Sequence, residues 1–316
     1  MISYLVTGGA GFIGSHIVDA LLAEGANVRV LDNLATGKRE NLAHVASDIE
    51  FLQGDVRDAD TVGRAVRGMD YVLHQAALPS VPRSIQDPLS THEVNVTGTV
   101  HLLNAARDAK VRRLVFASSS SVYGDTPELP KHEGMVPRPR SPYAVSKLAG
   151  EQYCRAFWHS VGLETVCLRY FNIFGPRQDP TSAYAAVIPR FATALLSKGR
   201  IHIYGDGQQT RDFTFVANAV SANLLAAVAP EAAGTICNIA CGERTSLLTL
   251  VGVLAKLANC QADVVHDPER AGDVKDSLAD IGLARERLGY VPAVKLTDGL
   301  RTTFDWVRQS ISAACP

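Results

Sequence analysis

Tyr4-Leu5-Val6-Thr7-Gly8-Gly9-Ala10-Gly11-Phe12-Ile13-Gly14-Ser15-His16-Ile17 reads as a buried strand, a glycine turn and an amphipathic helix that runs to Leu22. Gly8, Gly11 and Gly14 permit a tight turn, close approach of backbone to a pyrophosphate and close packing of helix on strand. Phe12 and Ile13 open the helix, whose N-terminus then faces the phosphates. The next strand, Asn27-Val28-Arg29-Val30-Leu31, ends in Asp32-Asn33. A carboxylate at that strand end accepts hydrogen bonds from a ribose diol and repels a 2'-phosphate, so the expected cofactor is NAD rather than NADP. An Asp that only caps a turn is the plain alternative.

The same alternation continues outward. Ile49–Asp55 is expected as a third strand followed by a helix over Asp60–Val66. Tyr71–His74 is the fourth strand, and Val115–Ala117 the fifth after a helix from Val94 to Ala109. Repeated strand–helix units of this length imply an α/β protein with a Rossmann-type, doubly wound parallel sheet that binds ligands outside the carboxyl ends of its strands. At those ends Asp55 and Val56 are expected beside an adenine, and Ala76 and Ala77 along the cofactor path.

Composition narrows the classes. The chain has 316 residues, 47% hydrophobic and 20% charged, with a formal net charge of -1, as in a soluble globular protein with no bulk attraction to nucleic acid or anionic membrane. The N-terminus lacks a basic region before its first apolar stretch, and no apolar run reaches the length of a bilayer span. Six scattered cysteines form no CxxC and sit beside no ligand-like His, so free thiols in a reducing cytoplasm are expected, and no metal.

The chemistry gathers near two stretches. The fifth strand runs into Ser118-Ser119-Ser120-Ser121-Val122-Tyr123-Gly124, which brings hydroxyls to a strand end. About twenty residues on, Ser141-Pro142-Tyr143-Ala144-Val145-Ser146-Lys147 reads as a helix opened by Pro142, with Tyr143 and Lys147 on one face. A phenol ionises near pH 10, so Tyr143 becomes a base at neutral pH only if cations stabilise its anion; Lys147 and an oxidised nicotinamide are the two expected.

The N-terminal GxxGxxG, the strand-five serine and the YxxxK together resemble the extended short-chain dehydrogenase/reductase superfamily over nearly the whole chain. Within it, His74-Gln75-Ala76-Ala77 with Ser80-Val81-Pro82-Arg83-Ser84, Leu168-Arg169-Tyr170-Phe171-Asn172-Ile173-Phe174-Gly175-Pro176, Gln178-Asp179-Pro180, Tyr184-Ala185-Ala186-Val187-Ile188-Pro189, Ile203-Tyr204-Gly205-Asp206-Gly207 and Arg211-Asp212-Phe213 are similar to the UDP-N-acetylglucosamine 4-epimerase and UDP-galactose 4-epimerase group. The resemblance implies NAD bound with the help of Tyr143, Lys147 and Tyr170. It also implies a UDP-sugar held by Ser80, Arg83, Ser119, Asn172, Gln178, Ala186, Val187, Tyr204, Arg211, Arg270, Asp273 and Ser277. Asn172, Arg211 and Arg270 are assigned to the diphosphate and Ser277 to the C2 substituent, where a small residue admits an N-acetyl group.

By the same resemblance Tyr143, Lys147, Ser119 and Ser120 form the catalytic set of a 4-epimerase, and the Ser119-Ser120-Ser121 triplet lacks the carboxylates that related dehydratases and decarboxylases carry. The runner-up substrate is UDP-glucuronate, and the non-enzymatic alternative is an NAD-binding sensor. Residues 1–172 are expected as the NAD-binding domain, rejoined by 213–240, in which Phe213–Val216 with Val220–Val228, and Ile236–Ile239, are expected to return to the sheet. Residues 173–212 and 241–308 are expected as a smaller α/β substrate domain, and the apolar excess on the Tyr143 helix as the face of a homodimer.

Overall fold

A computed structural model describes residues 1–179, 187–268 and 275–314. In the first half, β1 (Ser3–Thr7), α1 (Phe12–Ala23), β2 (Asn27–Asp32), β3 (Ile49–Gln53), α2 (Ala59–Val66) and β4 (Tyr71–His74) follow in order. Then come α3 (Val81–Gln86), α4 (Pro88–His92), a π-helical turn (Glu93–Thr97), α5 (Gly98–Asp108), β5 (Arg113–Ser119) and α6 (Pro142–Val161). The remainder adds β6 (Glu164–Tyr170), β7 (Ile173–Phe174), α7 (Val187–Leu196), β8 (Ile201–Tyr204), β9 (Thr210–Arg211), β10 (Thr214–Phe215) and α8 (Val216–Val228). It closes with β11 (Ile236–Ile239), β12 (Thr245–Ser246), α9 (Leu247–Ala258), β13 (Val264–Asp267), α10 (Gly282–Leu288) and α11 (Leu296–Ala314).

Seven parallel strands form one sheet in the order β11-β6-β5-β4-β1-β2-β3. The order reverses between β1 and β4, which is where a doubly wound sheet opens a crevice for ligands. Near-continuous burial along β5 (Arg113 to Ser118) and β6 (Thr165 to Arg169) fits strands covered by helices on both faces. Ile236–Ile239 joins the sheet edge beside β6, but Thr214–Phe215 does not return to it: those residues pair with Ile173–Phe174 in a separate two-stranded ladder. One large apolar core runs from α1 and β1 through α7, α8 and α9 to α11, so the C-terminal elements share packing with the sheet. Among the described residues, no helix is long and apolar enough to cross a membrane.

Candidate active site

Backbone geometry builds the nucleotide end. Gly8 has φ +69°, and a Cβ there would sit 2.7 Å from the Ala76 nitrogen, so the turn presses against the end of β4. A Cβ on Gly14 would fall 2.1 Å from the Gly8 carbonyl oxygen, which is the close helix–strand contact expected of the third glycine. At Gly11, the N-cap of α1, no side chain caps the helix, and its first turn carries no acid. The free N–H groups and positive dipole end are therefore left for an anion, and a pyrophosphate fits them.

Asp32 is nearly buried; its carboxylate accepts from the Ala10 and Leu34 nitrogens at 2.9 and 2.8 Å. Burial raises its pKa against those two bonds. Each oxygen keeps a lone pair, so the same carboxylate braces the glycine turn and can still accept from a ribose diol. Asn33 donates to Asp55 at 2.8 Å, and Arg57 grips Asp55 through Nε and Nη2, which holds that carboxyl down near 2. Asp55 and Arg57 line an open cleft of about 540 Å³, whereas Val56 is buried behind Gly98.

Under the turn lies a chain the sequence reading missed. Thr99 donates to the Asn95 carbonyl at 2.6 Å, so its oxygen accepts from His74 Nε2 at 3.0 Å; His74 Nδ1 then accepts from Thr7 Oγ1 at 2.7 Å. Burial pushes the His74 pKa down to about 3, in keeping with a neutral ring that serves as a fixed spacer. Asn95, on the π-helical turn, accepts from the Leu78 nitrogen and donates to Ser146 on α6. Tyr170, expected beside the cofactor, accepts from Asn223 at 2.7 Å and donates to Gln75 at 3.2 Å, which ties β6 to the end of β4.

The reactive group forms where β5 meets α6. Ser141 caps α6 by accepting from the Ala144 nitrogen, Pro142 fills the first turn, and Gly162 ends the helix at φ +74°. Tyr143 is half-buried with Ser119 near enough to pull its pKa down against burial, while Ser120 follows in a short turn that Ser119 caps through the Ser121 nitrogen. Lys147 is 4% exposed; its ammonium donates to the Ala117 carbonyl at 2.8 Å and lies 5.9 Å from the Tyr143 ring centroid. Burial lowers its pKa to about 8, which leaves it charged at pH 7.

One expectation needs correction here. Lys147 is expected to depress the Tyr143 pKa, yet burial outweighs that effect here and leaves the phenol pKa raised, with Ser119 acting the other way. The reason is positional: Lys147 spends its hydrogen bond on the Ala117 carbonyl and acts on the phenol only through space.

A second cavity, of about 260 Å³, holds the expected Asn172, Val187, Tyr204 and Arg211 together with Arg190 and His202, which the sequence reading passed over. The signal for His202 was the alternation of β8, which turns His202 and Tyr204 to one face. Asn172 has φ +38° and donates to the Asp212 carbonyl at 3.3 Å. Arg211 donates to the carbonyls of Thr210 and Lys275, and Ser277 reaches the same strand through its nitrogen to the Thr210 carbonyl at 3.0 Å. Asp212 gathers the nitrogens of Cys241, Gly242 and Ala279; burial raises its pKa to about 6.

Gln178 does not line this cavity. Its amide nitrogen turns back to the Ile173 carbonyl at 3.2 Å. Ser80 caps α3, and Arg83 on that helix is exposed. Ala186, Arg270 and Asp273 lie outside the described residues.

Residues 4–240 match the family described as the NAD dependent epimerase/dehydratase family. Over 308 residues the chain is 41% identical to a UDP-glucose 4-epimerase of Mycolicibacterium smegmatis, covering 96% of this chain and 98% of that one. Its fold superposes with a TM-score of 0.94 on UDP-N-acetylglucosamine 4-epimerase from Methanobrevibacter ruminantium, solved with UDP-N-acetylmuramic acid, at 40% identity and with 98% and 99% of the two chains covered. With the UDP-glucose 4-epimerase of Thermus thermophilus, solved with NAD, the TM-score is 0.89 at 41% identity, covering 97% and 99%.

Proposed function

This chain belongs to the NAD dependent epimerase/dehydratase family, and on that premise we propose that it is a 4-epimerase of UDP-sugars that turns over UDP-N-acetylglucosamine and UDP-N-acetylgalactosamine. The observation that carries the reaction type is the pairing of Ser119 with Tyr143 beside buried Lys147. Glu151, the carboxylate that meets the serine run through Ser118, is held by Arg169 and is not free for proton transfer in an elimination.

NAD is the cofactor, and when bound it would supply a reversible hydride acceptor for C4 of the sugar, as interconversion through a 4-keto sugar requires. Gly8, Gly11, Gly14 and Asp32 hold its adenosine diphosphate half, and Lys147 its nicotinamide ribose. Tyr143 takes the proton of the sugar 4-hydroxyl and returns it in the second half of the cycle. Ser119 donates to the same oxygen, which leaves the hydroxyl proton directed at Tyr143. Arg211 and Asn172 bind the diphosphate, while Val187 and Tyr204 close around the nucleoside. Ser277, small and tied to the strand that carries Arg211, leaves room for an N-acetyl group. The N-acetylglucosamine 4-epimerase from Methanobrevibacter ruminantium agrees with that choice.

Residues 1–172 with 213–240 are assigned to NAD, and 173–212 with 241–308 to the nucleotide sugar. Exposed Ile85, Leu89, Val145 and Tyr153 on the adjoining helices α3, α4 and α6 supply an apolar face for a homodimer. Free cysteines, three of them buried, favour the cytoplasm. Incubation of the holoenzyme with UDP-N-acetylglucosamine, UDP-glucose and UDP-glucuronate, with products resolved from their 4-epimers, tests the reading. Turnover of UDP-glucuronate alone would replace the substrate, and no epimer from any of the three would refute the reaction.

A further inference from the structure

Glu151 lies on α6 one turn beyond Lys147 and is fully buried. Its Oε1 accepts from Ser118 Oγ at 2.5 Å and from Arg169 Nε at 2.8 Å, and its Oε2 accepts from Arg169 Nη2 at 2.7 Å. Ser118 directly precedes Ser119 at the end of β5, and the sheet register sets Ser118 against Arg169 and Ser119 against Tyr170. One carboxylate thus joins the helix that carries Tyr143 and Lys147 to both strands beneath it.

Apolar packing alone would fix this helix less well. Gly150 packs against the outer end of the Phe116 ring, where a Cβ would come within 2.3 Å, so this contact offers no side chain of α6 to key the helix along the strand. A buried ion pair is a poor way to gain stability, because desolvation consumes most of the attraction. Its forked geometry is directional, however, and fixes rotation and shift together. The frame extends further: the Arg169 guanidinium lies 4.7 Å from the Tyr123 ring centroid, and the Tyr123 hydroxyl donates to Asn238, which donates to the Asp280 carbonyl three residues past Ser277.

We propose that Glu151 is a positioning residue for the reaction centre, its carboxylate holding the Tyr143 and Lys147 face of α6 in register with Ser119 through Ser118 and Arg169. The inference rests on the 4-epimerase reading above. The titratable groups around it are Lys147 and Cys154 on its own helix, Arg169 and Cys167 on β6, Tyr123 after β5, and His74 on β4, which faces Lys147.

The test compares NAD-loaded wild type with Glu151→Gln, Glu151→Asp, the double variant Glu151→Leu/Arg169→Met, and Ser118→Ala, measuring UDP-sugar epimerisation from pH 6 to 9 and thermal unfolding. Glu151→Gln is expected to lose at least tenfold in kcat with KM within threefold. Its acidic limb should move to lower pH, because the uncompensated Arg169 favours the phenolate. Glu151→Asp keeps the charge but not the reach, and should lose rate with the limb in place. The double variant should regain thermal stability and stay slow, whereas a purely structural role predicts that rate returns with stability. Ser118→Ala, which keeps the ion pair, should lose severalfold in kcat at unchanged stability, and it remains informative if Glu151→Gln does not fold. Wild-type kcat in Glu151→Gln or in Ser118→Ala, an unmoved limb in Glu151→Gln, or recovery of rate in the double variant overturns the proposal. Absence of epimerisation by the wild type would instead refute the reaction reading.

Discussion

Lys147→Met removes a buried charge and keeps the length and apolar character of the stem. The ammonium lies 5.9 Å from the Tyr143 ring centroid. At an effective dielectric constant of about 20, that separation is worth roughly 3 kcal/mol to the phenolate. Divided by 1.36 kcal/mol per pKa unit, this is about 2 units. A cation stabilises the anion, so its removal raises the Tyr143 pKa and cuts the phenolate fraction at pH 7 about 100-fold. The acidic limb of kcat should therefore move up by about 2 units, with rate partly restored near pH 9. The fold should survive: the lysine pKa falls from its usual 10.5 to about 8 through burial, which sets on the order of 3 kcal/mol against the charged form at pH 7. Between those two values the unfolded chain binds more protons than the folded one, so this group makes wild-type stability rise with pH. The Met variant lacks that rise and should be at least as stable as wild type at pH 7. The assay is a pH profile of NAD-loaded enzyme from 6 to 10, paired with thermal unfolding. A loss of rate equal at every pH would show that Lys147 acts only as a ribose anchor and would sink the electrostatic argument.

Gly14→Ala should abolish NAD retention after gel filtration and lower the unfolding temperature by several degrees, because its Cβ would fall 2.1 Å from the Gly8 carbonyl and displace the turn; full NAD occupancy would contradict the close-contact reading. Ser277→Tyr should depress turnover of UDP-N-acetylglucosamine tenfold or more and spare UDP-glucose, since overpacking costs about 1–3 kcal/mol. Equal loss on both substrates would remove Ser277 from the sugar pocket. Light scattering at micromolar concentration should return the mass of a dimer, and Val145→Glu should shift it to the monomer; a monomeric wild type would leave the face on α3, α4 and α6 unexplained.

What could be read in the sequence was what local chemistry dictates. Tyr71–His74 forms the fourth strand as expected, and Pro142 opens the helix of Tyr143, because alternation, proline and glycine act over a few residues. The expected helix from Val94 to Ala109 instead begins with a π-helical turn over Glu93–Thr97. That turn carries Asn95, whose side chain bonds Leu78 and Ser146, partners 17 and 51 residues away that no window on the helix contains. The return of Thr214–Phe215 to the main sheet failed for a related reason: the edge beside β6 is taken by Ile236–Ile239, a choice settled between distant segments.

Charge was the least legible quantity. Arg169 sits in a run read for its Tyr and Asn, and Glu151 looks like any helix-surface acid four residues after a lysine, yet both are essentially fully buried. Their burial follows from two conditions that meet only in three dimensions. The register of β5 on β6 puts Arg169 beside Ser118, and the bare face at Gly150 lets α6 come down far enough for Glu151 to reach them. A desolvated carboxylate is tolerable there because all three of its hydrogen bonds are made at once, two of them by a fork with the opposite charge. The same logic holds at Asp212, where three backbone nitrogens converge on one buried carboxylate from segments that are 29 to 67 residues away. At both places the polar group marks where separate stretches of chain are brought to one point, and at both that point lies directly behind residues assigned to the sugar: Ser119 in front of Ser118, and Arg211 beside Asp212.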